Sequence, residues 1–179
     1  AAGSTGFTCG GCLNGSAILI SGGTSGLESG NGHGNDPNLI TVGSTGNVSV
    51  ADLDFAAIYS TYGYTNVKIY GTVYGGIVLG DSISDPTLAG NLGGVLIDGG
   101  HWNPGTWNVV DDEHSIYDAG VYNAGVITVS SAPTVIMGSL KQSEVGEMRF
   151  NLDPVIHSAQ YALTISGLAQ INGTITPIV

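Results

Sequence analysis

From residue 65 onward the chain is written in short runs of period two. Val67, Ile69 and Val73 alternate with Asn66, Lys68, Tyr70, Thr72 and Tyr74. Met148, Phe150 and Leu152 alternate with Glu147, Arg149, Asn151 and Asp153, and Tyr161, Leu163 and Ile165 with Ala162, Thr164 and Ser166. Shorter β-branched runs stand at 77–79, 95–97, 126–129 and 134–137. A strand points successive side chains to opposite faces, so each run has one apolar side to bury. Gly, Pro, Asn and Asp separate the runs and supply turns. Many short strands of this kind predict an all-β fold, a β-sandwich or jelly roll. No fixed-period repeat is evident, which argues against a β-solenoid. One short helix is expected near residues 50–60: Ser49 can cap it, Asp52 follows three residues later, and Leu53, Ala56 and Ala57 share a face.

Composition narrows the function. Only Lys68, Lys141 and Arg149 are cationic, against 14 carboxylates, for a net charge of −11. Nucleic acid is excluded as a partner, because phosphate neutralisation needs clustered Lys and Arg. No apolar run reaches the roughly 18–20 residues of a membrane span. Hydrophobic residues make up 42% and charged residues 9%, the reverse of a disordered chain. Soluble monomers keep a richly charged surface, so this poverty of charge points to a surface covered by other copies. The small residues Ala1-Ala2-Gly3 fit a processed, exported chain, and the expected location is secreted, extracellular or cell-surface.

Residues 21–38 form a Gly/Ser/Asn-rich loop, long for the inside of a compact domain. It divides an N-terminal extension, residues 1–38, from a β-sandwich domain, residues 39–179. Within the extension, Cys9 and Cys12 form a C-x-x-C without a helical pattern behind it, so redox catalysis is not expected. A small disulfide loop in an oxidising compartment, or a bridge between subunits, fits better.

No nucleophile elbow, P-loop or zinc-protease motif occurs, and the chain is not expected to be an enzyme or to carry a cofactor. Asp111-Asp112-Glu113-His114 is the densest polar cluster and reads as a solvated turn, since consecutive strand residues cannot converge. Asp36, Asp111, Asp112 and Glu113 are weak calcium candidates, lacking EF-hand spacing. Trp102, Trp107 and Tyr117 lie close in sequence and offer stacking surfaces for sugars, the basis of an alternative reading as a monomeric adhesin or carbohydrate-binding module. Asn14, Asn47 and Asn172 head N-glycosylation sequons.

The ends carry the most suggestive pattern. Segment 168–179 is uncharged, with Ile171, Gly173 and Ile175 on one face; Asn172-Gly173 alone reads as a hairpin turn. Leu13 to Ile20 is likewise an uncharged strand former, with Leu13, Gly15, Ala17, Ile18, Leu19 and Ile20 as candidate donor-strand residues. An exposed strand of this type is an aggregation hazard unless paired. In composition, strand pattern and uncharged N-terminal segment, the chain resembles extracellular pilus and filament subunits that assemble by donor-strand complementation. The resemblance implies a homopolymer in which each subunit inserts a terminal strand into its neighbour's open sheet. The closely spaced Cys9 and Cys12 and the ending Thr176-Pro177-Ile178-Val179 depart from the chaperone–usher pattern.

Overall fold

The computed structural model describes residues 16–20, 38–60, 64–79, 93–110, 112, 115–130, 133–151 and 162–178. Its strands, in chain order, are β1 (Ile18–Ile20), β2 (Asn38–Val42), β3 (Asn47–Ser49), β4 (Ala56–Ser60), β5 (Thr65–Ile69), β6 (Thr72–Tyr74), β7 (Gly76–Leu79) and β8 (Val95–Asn103). They continue as β9 (Trp107–Val109), β10 (Val121–Val129), β11 (Thr134–Met137), β12 (Leu140–Gln142), β13 (Glu147–Asn151), β14 (Leu163–Ile165), β15 (Ala169–Ile171) and β16 (Thr174–Ile178).

Every pairing is parallel, and each strand stacks on its counterpart from the next coil of the chain. The fold is a parallel β-solenoid, not the expected sandwich or jelly roll. Column one runs β2, β5, the first part of β8, the first part of β10, β12 and β15. Column two runs β3, β6, the second parts of β8 and β10, β13 and β16. Column three runs β1, β4, β7, β9, β11 and β14. β8 and β10 turn the corner between the first two columns without a break in the strand, which joins those columns into one sheet.

The sequence conceals this repeat because the coils differ in length. Along column one, the steps Asn38 to Thr65, Val67 to Val95, Val95 to Val121, Val121 to Leu140 and Leu140 to Ala169 span 27, 28, 26, 19 and 29 residues. What recurs is a position. The residue before each column-two segment is glycine in all six coils: Gly46, Gly71, Gly100, Gly125, Gly146 and Gly173. A Cβ at Gly71 would lie 2.2 Å from Gly43 O, and at Gly100, 2.4 Å from Ile69 O. At Gly125 and Gly173 it would meet the carbonyl of the glycine one coil earlier, at 2.4 and 2.0 Å. The corner closes only where no side chain intervenes. Asn172-Gly173 is therefore a solenoid corner and not a hairpin: β15 pairs with β12 and β16 with β13.

The period-two runs point one side inward, as the alternation requires. Val67, Val95, Val121 and Leu140 stack in column one, and Val73, Trp102, Ile127 and Met148 in column two, all buried. Amides continue the stack where it turns polar. Val42, Ile69 and Ile97 are followed by Asn123 and Gln142. Asn123 Nδ2 donates to Gln142 Oε1 at 2.9 Å and to Glu147 O at 3.1 Å, while Asn123 Oδ1 accepts from Gly125 N–H. In column three, Asn108 Oδ1 accepts from Ile77 N–H and its Nδ2 reaches Gly105 O and Val135 O. Buried amides satisfied in this way cost little and fix the register of adjacent coils.

The helix expected near 50–60 is absent. Asp52 turns the chain, its Oδ1 accepting from Asp54 N–H and its carbonyl from Phe55 N–H, and β4 follows, buried between β1 and β7. A short amphipathic helix cannot supply ladder partners on both sides, and the alternation of Leu53, Phe55, Ala57 and Tyr59 already fits a strand. β1, within the 1–38 stretch, pairs with β4 at Ile18–Ile58, Leu19–Tyr59 and Ile20–Ser60. Among the described residues no helix is long and apolar enough to cross a membrane.

Candidate assembly surfaces at the two ends of the stack

A stack of coils has two ends, and each presents strands bonded on one side only. Among the described residues, β1, β2 and β3 have partners only toward the second half of the chain, and β14, β15 and β16 only toward the first. None of these six strands contains Asp, Glu, Lys or Arg. The charged strand residues lie on inner coils: Lys68 in β5, Asp98 in β8, Lys141 in β12, Glu147 and Arg149 in β13. Folded proteins ordinarily blunt open edges with charge; here the charge sits elsewhere.

The core is also left uncovered at the last coil. In column two the inward positions Val73, Trp102, Ile127 and Met148 are at most 3% exposed, but Ile175, next in the same row, is 57% exposed. Leu168, just before β15, and Ile178, at the end of β16, are exposed as well. At the opposite end Leu39 is exposed, and Ile40 and Val48 are half-buried.

Backbone parity shows which groups face outward. Thr72 N–H donates to Gly46 O and Val50 N–H to Tyr74 O, so the alternation along β3 turns Asn47 and Ser49 to the open side. Thr174 N–H donates to Gly146 O, which turns Ile175 and Pro177 to the open side of β16. Pro177 thus lacks its N–H where no ladder bond to β13 is lost, the position that tolerates proline in an edge strand.

The cations are neutralised within the chain. Lys68 lies 3.6 Å from Asp98 and over the Tyr70 ring, Lys141 2.6 Å from Asp118, and Arg149 2.8 Å from Glu147. The bond from Arg149, then that from Thr176 Oγ1, hold Glu147 below the usual carboxylate range, and Lys141 does the same for Asp118. His101 Nε2 is 2.8 Å from Thr128 Oγ1, and burial, followed by the charge of Arg149, pushes its pKa down.

The other candidate residues do not converge. Trp102 is fully buried, its Nε1 donating to Gly75 O; Trp107 is exposed on column three; Tyr117 lies in the 115–120 excursion, whose Ile116 N–H reaches Asn66 on column one. These three aromatics share no face. Asp112 braces that excursion, its Oδ1 accepting from Gly120 N–H at 2.8 Å and Ser139 N–H at 3.0 Å. No group of three His, Cys, Asp or Glu among the described residues is placed to hold a metal ion. Asn47 and Asn172 are exposed, at opposite ends of the stack. Cys9, Cys12, Leu13, Asn14, Gly15, Asp36, Asp111, Glu113 and His114 lie outside the described residues. Of the donor-strand candidates, Ile18, Leu19 and Ile20 form β1, with Ala17 exposed just before it. That the ends of all three columns are open edges was not legible in sequence; the uncharged terminal strand formers and the recurring glycine before each column-two segment were the signals available.

No family model, no curated protein and no solved structure matches this chain.

Proposed function

We propose that this chain is a structural subunit of an extracellular filament, joining copies of itself through the ends of its solenoid. The observation that carries the reading is the exposed end of the core: uncharged edge strands bearing Ile175, in a chain whose net charge of −11 would otherwise keep copies apart. Pairing those edges removes the aggregation hazard and supplies backbone hydrogen bonds without a dedicated binding pocket. The scarcity of Lys and Arg, and the abundance of small residues, suit a surface exposed to an extracellular environment. Insertion of a strand into an open sandwich is not the mode, because the described strands stack as parallel columns of a solenoid and not as a sandwich. The test is electron microscopy and light scattering of the purified chain over a wide concentration range. Fibres of uniform width are expected; discrete single-subunit particles at every concentration overturn the proposal.

A further inference from the structure

Among the described residues the two ends are not flat; each is a step. Column three begins one level before columns one and two, because β1 underlies β4 while β2 and β3 open the next level. At the far end columns one and two run one level past column three, because β15 and β16 follow β14. Among the described strands, the column that protrudes at one end therefore matches the column that stops short at the other.

Resting on the filament reading above, we infer that copies stack head to tail, with β1 of one copy completing the last coil of the copy before it. β1 then lies on β14, β2 on β15 and β3 on β16, and all three columns continue without a gap. The register of the inner coils fixes the contacts. Ile18 falls over Ile165, Val42 over Ile171, and Val48 over Ile175 of the preceding copy, an aliphatic pair in each column. Gly46 meets Gly173, which extends the glycine corner across the junction. The outward backbone groups correspond as well: Asn47 N–H faces Gly173 O, Ile175 N–H faces Asn47 O, and Ser49 N–H faces Ile175 O. The next donor in the series would be residue 177, opposite Ser49 O, and because Pro177 has no N–H the column-two ladder at the junction ends after those three bonds. This contact is heterologous, so it propagates and does not close. It also retains strand donation in altered form, since the N-terminal strand stays in its own chain and adds its free edge to another.

Six levels per column at about 4.8 Å each predict an axial subunit repeat of about 29 Å, read from fibre diffraction or image averages. Two variants test the surfaces: Ile175→Lys blocks the C-terminal end and Val48→Lys the N-terminal end. Each alone should stay folded by circular dichroism and remain a single subunit. A one-to-one mixture should give a species of two subunits and nothing longer, because each variant keeps one competent end. Filaments from either folded variant overturn the stacking while leaving the filament reading in place; absence of wild-type filaments overturns both. Should Val48→Lys not fold, Asn47→Cys and Thr174→Cys, both exposed, replace it. Mixed and oxidised, they should yield a 47–174 disulfide by peptide mapping, and filaments formed without that cross-link overturn the register.

Discussion

At the scale of single residues, glycine and histidine make opposite demands on their surroundings. Gly125 sits against Gly100 O at a distance no Cβ tolerates, and the contacting atom is backbone, which cannot swing away. Gly125→Ala should cost about 2–3 kcal/mol in chemical denaturation, as overpacking of a rigid site does. Gly43 has nothing within 4 Å of an added Cβ, and Gly43→Ala should change stability by less than about 0.5 kcal/mol. His101 is held below its ordinary value of 6.5 by burial and then by Arg149. Folded His101 thus binds fewer protons than the unfolded chain, so its contribution is full above 6.5 and shrinks as pH falls below it. Thermal unfolding followed from about pH 7 to about pH 5 should show a midpoint that falls on acidification, and a shallower fall in His101→Gln.

At the scale of elements, the solenoid is held by what passes between coils. Asn123 joins β10 to β12 and β13 through one side chain. Asn123→Ala strands Gln142 Oε1 in the core, and the loss should be about 1–3 kcal/mol by denaturant titration. Asn123→Asp should do no better, because a carboxylate cannot donate to Glu147 O. The strands themselves were readable: alternation located β5, β6, β13 and β14, and the β-branched runs marked β7, the start of β8, the end of β10, and β11. Their arrangement was not readable. A sandwich strand and a solenoid strand bury the same single face, so period two is common to both. What separates them is whether neighbours in the sheet are parallel copies one coil apart. With coil steps from 19 to 29 residues, no fixed spacing carried that information.

At the scale of the whole molecule, charge and shape oppose each other. A net charge of −11 on every copy disfavours close approach, while the uncharged ends favour it. Assembly should therefore strengthen with salt: the critical concentration measured by sedimentation should fall as ionic strength rises from about 0.01 M to about 0.15 M and the Debye length shortens from about 30 Å to about 8 Å. An assembly driven by salt bridges would respond in the opposite sense. A carbohydrate site built from Trp102, Trp107 and Tyr117 has no shared face to stand on, since Trp102 is spent on the core.

By itself the sequence determined that this chain folds as β-structure, that nearly all its charge is negative, and that its two terminal strand formers carry none. Those properties are local: they follow from alternation, turn residues and composition, which act over a few positions. The tertiary structure decided that the strands run parallel in three columns, that one glycine per coil makes the corner, and that the ends form matching steps. These depend on which residues one coil apart come to lie at about 4.8 Å, a separation that loops of unequal length hide from any reading along the chain.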